Sequence, residues 1–197
     1  MKKTTLLLLI LLFTTTISNA QNQENQTAFE KLCTDNGLQF KMPTGFHPIP
    51  VKENPDLHYD FAIINKEGTM EIRFSIFSLK KALEDYEASL QDKNAIMIPP
   101  NNIYKGIIQA NVLNMTGGQM YDIGAFDSQA VKREFNADAG GSSFFKFNSV
   151  FGTGYEFGQF VYLHKDNVAD AIVTFMSNDK STHSDLMLTS FYALTFK

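Results

Sequence analysis

Apolar residues recur along the chain with two periods, and the switches between them divide it into elements. In TAFEKLCTDNG, Phe29, Leu32 and Cys33 stand at helical spacing, which predicts a first helix capped by Thr27 and ended by Gly37. LQFKM changes to period two, with Leu38, Phe40 and Met42 on one face. FKMPTGFHPIP then stops that strand. Pro43 removes a ladder donor, Gly45 allows the reversal, and Phe46 is expected to fold back on the core, leaving His47 incidental. YDFAIIN and TMEIRFSIFSL read as a hairpin across KEG, in which Ile72, Phe74 and Ile76 alternate with Glu71, Arg73 and Ser75.

LKKALEDYEASL returns to helical spacing through Leu79, Leu83, Tyr86 and Leu90. Pro99 and Pro100 break the chain. A further helix is predicted in NNIYKGIIQANVLNMTGG, with Ile103, Ile107, Ala110 and Leu113 as its apolar stripe, Asn101 or Asn102 as cap, and Gly117 and Gly118 at its end. FDSQAVKREF gives a helix capped by Asp127, with Val131 and Phe135 four apart. NADAGG reads as a loop in which Gly140 and Gly141 permit positive φ. SFFKFN, YEFGQFVYLH and ADAIVTFMS are strands, the last two joined through KDNV. Phe160 and Tyr162 on one face and Val161 and Leu163 on the other mark a central strand covered on both sides. STHSDLMLTSFYALTF reads as a closing helix capped by Ser181 or Thr182, with Leu186 and Ser190 or Phe191 facing inward. The pattern is that of an α+β domain, an antiparallel or mixed sheet flanked by helices, spanning residues 27–197.

The first twenty residues lie outside this pattern. Lys2 and Lys3, the apolar run from Leu6 to Phe13, and Ser18 and Ala20 at −3 and −1 make a secretory signal peptide cleaved after Ala20. The apolar run is too short for a spanning helix, which needs about 20 residues. Residues 21–26, QNQENQ, are polar without apolar period and read as a disordered leader. The expected location is the periplasm or the outside of the cell. Without residues 1–20 the chain has 15 basic and 21 acidic side chains, which disfavours nucleic acid or an anionic membrane as partner. Cys33 is the single cysteine, so no internal disulfide is available. It is expected to be buried under the first helix, intermolecular pairing being the other outcome.

Candidate chemistry is sparse. No HExxH, HxH or paired Cys/His spacing occurs among the four histidines. Asp56, His58 and Asp60 alternate and on a strand would point one way, the arrangement of a metal-dependent enzyme or metal carrier, or simply of a solvated face. His164 and Asp166 in HKDN sit at a hairpin tip, where they could form an acid/base pair or serve as turn residues facing water. His183 falls in a helix-cap region with no chemistry implied. FNADAGG is like a calcium loop but has Phe147 where the bidentate carboxylate belongs. FGTGYEFG lacks the lysine and following helix of a phosphate loop and reads as a turn before a strand. Nucleophile elbows and dinucleotide fingerprints are missing, so no catalytic residue and no cofactor is assigned. The chain has 18 Phe and 7 Tyr with no Trp, and eight of these aromatics crowd between Phe144 and Tyr162; they read as core, or as a binding groove where several are exposed together.

LQFKMPTGFHPIP resembles the opening strand of PsbP-like domains, and DAIVTFMSND with HSDLMLTSFYALTF is similar to their closing strand, acidic loop and helix leading to SF. The resemblance covers about a third of the chain. The middle, with NMTGG and VKREFNADAGG, departs from it and is similar to a group of secreted proteins of Bacteroidetes-type bacteria. What the resemblance implies is a sandwich of sheet and helices acting as a non-catalytic binding or assembly module, with a small ligand or an envelope protein as partner. An immunity-type envelope partner protein is the alternative. The expected binding edge joins VKREFNADAGG to the HKDN tip, with Lys132, Arg133, Asn136, Asp138, His164 and Asp166 as its polar groups.

Overall fold

The computed structural model describes residues 21–92, 94 and 96–197; of Lys180, Ser181 and Thr182 only the backbone belongs to that description. The expected signal peptide lies outside the described residues, as do the side chains expected to cap the last helix. Among the described residues no helix is long and apolar enough to cross a membrane.

A seven-stranded antiparallel sheet is flanked on both faces by helices, so the fold is α+β, an α/β sandwich. In chain order the elements are α1 (21–35), β1 (Leu38–Phe40), β2 (Phe46–Ile49), β3 (Phe61–Asn65), β4 (Met70–Ser78), α2 (Lys80–Ser89) and α3 (Pro100–Thr116). They continue with β5 (Gly124–Ala125), α4 (Ser128–Phe135), β6 (Ala139–Lys146), β7 (Phe157–Lys165), β8 (Ala169–Ser177), α5 (Lys180–Ser190) and β9 (Leu194–Phe196). The large sheet has the order β2-β3-β4-β8-β7-β6-β5, and β1 pairs separately with β9. The two predicted hairpins, β3–β4 and β7–β8, form as antiparallel pairs, the second turning at Asn167 with φ of 61°.

Period two sorts the strand residues onto two cores. Val161, Leu163, Val173 and Phe175 face α1, α4, α5 and the β1–β9 ribbon. Phe160, Tyr162, Ile172 and Met176 face α3 and the 147–151 segment. The aromatic run is thus mostly core, with Phe144 exposed. Cys33 is free and buried under α1, and burial pushes its thiol up to about 12.

Several expectations need correction. Residues 21–26 belong to helix α1 rather than to a disordered leader, and Thr27 sits inside that helix, its hydroxyl donating to the Gln23 carbonyl rather than capping it. After the turn at Gly45 the chain pairs again as β2; Pro48 is tolerated there because β2 is an edge strand. Helix α3 buries Tyr104, Ile108, Val112 and Met115, one to two positions on from the expected stripe, and leaves Ile103 and Ile107 exposed. Its cap is Pro99 with Pro100 in the first turn, not an asparagine. The chain after α5 does not continue as helix; it extends into β9.

Candidate functional site

Gly140 and Gly141 are not loop glycines. Both lie in β6, and neither has positive φ. A Cβ on Gly141 would stand 2.5 Å from the Gly124 carbonyl oxygen and 2.7 Å from Cε1 of Tyr162. The glycine therefore lets the Tyr162 ring lie across β6 toward the edge strand β5. The α3-facing positions of the first half of β6 are all small: Ala139, Gly141 and Ser143. Helix α3 rests over β7 and cannot close onto this low floor, so depressions remain between the helix and the sheet edge.

The larger has a volume of about 410 Å³ and is lined by Lys105, Gln109 and Ile108 of α3, Tyr162 of β7, and Tyr121, Asp122 and Ile123 before β5. Ser143 fixes that last segment by donating to the Asp122 carbonyl at 2.7 Å. The second, about 290 Å³, is lined by Asn101, Asn102, Tyr104 and Lys105 of α3 together with Asp138, Ala139, His164 and Asp166. Lys105 lines both. It makes no ion pair among the described residues, and its Nζ lies 5.8 Å from the Tyr104 ring centre.

At the floor of the second depression His164 is 1% exposed. Its register partner across the β7–β8 hairpin is Asp170, whose Oδ1 is 2.6 Å from Nδ1. Asp166 Oδ1 is 2.9 Å from Nε2, and the Tyr104 ring stacks on the imidazole at 4.0 Å. Burial works against charge on the ring, but the hydrogen bonds to Asp170 and Asp166 outweigh it and raise its pKa. With both ring nitrogens held by carboxylates, the imidazolium is an anchor for the hairpin. It has no nitrogen left to take a proton from a substrate. The expectation that His164 sits at a tip facing water is corrected: it lies in β7 under Tyr104, and only Asp166 reaches the turn.

Four of the six expected site residues are brought together. Lys132 Nζ donates to Asp138 Oδ1 at 2.9 Å, and the Asp166 amide donates to Asp138 Oδ2 at 3.0 Å. Lys132 is the main cause holding the Asp138 carboxyl below its usual range. Asp138, His164 and Asp166 line the depression, while Lys132 supports Asp138 from α4. The other two turn elsewhere. Arg133 donates to its neighbour Glu134, which also accepts from Tyr192. Asn136 is the left-handed C-cap of α4 with φ of 50°, and its side-chain amide donates to the Lys197 carbonyl.

The metal reading of Asp56, His58 and Asp60 is overturned by geometry. The segment is not a strand, so alternation does not align the three side chains. Asp56 Oδ2 accepts from Asn148 and Asp60 Oδ2 from the Ile76 amide, with only His58 and Asp60 near each other at 3.3 Å. Among the described residues no group of three His, Cys, Asp or Glu could hold a metal ion.

The α3 contribution escaped sequence reasoning. Asn101, read as a cap, instead clamps the β7–β8 turn: its amide donates to Asn167 Oδ1 at 3.0 Å and its Oδ1 accepts from the Asn167 amide at 2.9 Å. The signal that could have found the groove is the alternate run of small residues in AGGSS beside a strand of large ones. Compared with protein-family models and with curated proteins, the chain matches none.

Proposed function

We propose that the chain is an exported, non-catalytic recognition module of PsbP-like type, its signal peptide removed after Ala20, that holds its ligand in the groove between α3 and the β5–β6 edge. The observation that carries this reading is the pair of adjoining depressions sharing Lys105, whose ammonium makes no ion pair among the described residues. Depressions of a few hundred Å³, walled by aromatic and aliphatic side chains with a few polar groups, are where small ligands lodge. The nearest acid/base candidate, His164, is fully engaged by Asp166 and Asp170, which favours binding over turnover.

The test uses the chain produced in a Gram-negative host with its leader. Protein recovered from the envelope should begin at Gln21 by intact mass. Immobilised and exposed to envelope extract, it should retain a small molecule identifiable by mass spectrometry. Ala125→Trp, which fills the larger depression from an exposed edge strand, should lose it. Equal retention by both proteins, or a hydrolase activity that His164→Gln abolishes in a folded protein, would overturn the reading.

A further inference from the structure

Two tyrosine hydroxyls beside the groove are left over. Tyr104 is 9% and Tyr162 8% exposed, yet neither hydroxyl makes a hydrogen bond among the described residues. Neither oxygen is among the buried polar atoms that lack a partner, so each hydroxyl still opens onto the solvent of its depression and can donate to a ligand there. Both rings line the depressions, Tyr104 the smaller and Tyr162 the larger, with ring centres 6.2 Å apart. The Gly141 contact places Cε1 of Tyr162, one atom from its hydroxyl-bearing carbon, beside Ala125 at the wall of the larger depression. Burial raises the pKa of both phenols, so both remain protonated and are available as donors. Lys105, without an ion pair among the described residues, adds a cation at the shared rim. Against these donors stands one carboxylate in the larger depression, that of exposed Asp122, which makes no ion pair among the described residues. Ile108, Ile123 and Met120 give the same space an apolar wall.

We infer that the groove takes a small amphipathic carboxylic acid that carries a hydrogen-bond donor on the same skeleton, of the amino-acid or hydroxy-acid type. Its carboxylate faces Lys105 and the tyrosine hydroxyls, its amine or hydroxyl faces Asp122, and its apolar part rests on Ile108, Ile123 and Met120. Lys105, the two phenols and Asp122 then each have a counterpart of the opposite kind. A purely cationic ligand would leave Lys105 and the phenols unmatched, and a purely anionic one would meet Asp122. The inference rests on the binding-module reading and gives it a ligand class.

The experiment separates the two. The 21–197 chain, labelled with nitrogen-15, is titrated with four probes of one size: L-phenylalanine, 3-phenylpropionate, 2-phenylethylamine and 2-phenylethanol. Expected are saturable shifts at the amides of Lys105, Ile108, Asp122, Ile123 and Tyr162, strongest for L-phenylalanine, weaker for 3-phenylpropionate and weakest for the amine. Lys105→Met should weaken both acids about tenfold, the loss expected when a charged hydrogen-bond partner is removed. Asp122→Asn should weaken L-phenylalanine and leave 3-phenylpropionate unchanged or tighter. Tyr162→Phe, which keeps the ring and its packing, should weaken both acids by a smaller factor. If the amine or the alcohol shifts the same amides as strongly as the acids, or Lys105→Met changes nothing, the ligand class is wrong while the groove stands. If none of the four probes shifts these amides, the ligand class and the groove fall together.

Discussion

Burial opposes charge on the His164 ring, yet Asp170 and Asp166 hold its pKa above the ordinary 6.5. The stability it contributes is therefore fully present below that value and is lost as pH rises through the folded-state pKa. His183 behaves in the opposite sense. Its two ring nitrogens are buried without hydrogen-bond partners among the described residues, and burial lowers its pKa below 6.5. The unfolded chain then takes up a proton that the folded one refuses, so stability is present above 6.5 and is lost as pH falls toward the folded value. Urea midpoints measured across pH are expected to peak near about 6.5 and to fall on both sides. His164→Gln should flatten the alkaline limb and His183→Gln the acid limb. A profile that rises steadily through neutral pH in the parent protein would contradict the His164 assignment. The pairing of His164 with Asp166 was visible in the sequence because the two are near neighbours. Asp170 was not, because its place opposite His164 depends on the register of the β7–β8 hairpin, which KDNV alone does not fix.

At the scale of elements, local pairings were readable and helix phase was not. The β3–β4 and β7–β8 hairpins follow from alternation and a short turn, and α4 from its Asp127 cap, whose carboxylate accepts from the Ala130 amide at 2.9 Å. In α3, isoleucines, tyrosine and valine occupy two adjacent stripes, and the sequence does not say which meets the sheet. Tyr104, Ile108, Val112 and Met115 win because the sheet beneath offers them Phe160, Tyr162, Ile172 and Met176, while Ile103 and Ile107 stay in solvent. The same choice of phase carries Lys105 to the groove, so the error in reading α3 was also the reason the site was missed. Substitution tests the phase directly. Ile108→Ala should cost about 2–5 kcal/mol, as buried large-to-small changes do. Ile107→Ala, one residue away, should stay within about 0.5 kcal/mol. Chemical denaturation of the two variants decides it, and equal losses would mean that α3 is not seated as described.

For the molecule as a whole, the two ends of the domain are tied together on the sheet face opposite α3. Strand β9 pairs with β1 in the register Leu38–Phe196, Gln39–Thr195 and Phe40–Leu194, and the Lys197 amide donates to the Gly37 carbonyl at 2.9 Å. Gln39 and Thr195, joined by a side-chain hydrogen bond, are 156 residues apart. No local pattern could announce such a pairing: ALTF follows a helix without a glycine or proline to mark the change, and its partner strand is only three residues long. Yet Leu194 and Phe196 are 1% and 2% exposed, packed with the core shared by α1, α4 and α5. Removing two such side chains costs about 5–10 kcal/mol by the large-to-small scale, against a total stability of about 5–15 kcal/mol for a domain. Deleting residues 194–197 should therefore remove most of the cooperative unfolding transition and the near-ultraviolet circular dichroism of the packed aromatics. Thr195→Ala, whose side chain lies on the outer face of the ribbon, should leave the midpoint within about 0.5 kcal/mol. Because the ribbon covers the sheet face opposite α3, Thr195→Ala should bind the groove probes as the parent does. A truncated chain that kept the parent's midpoint would show that the ribbon is an ornament rather than the closure of the far core.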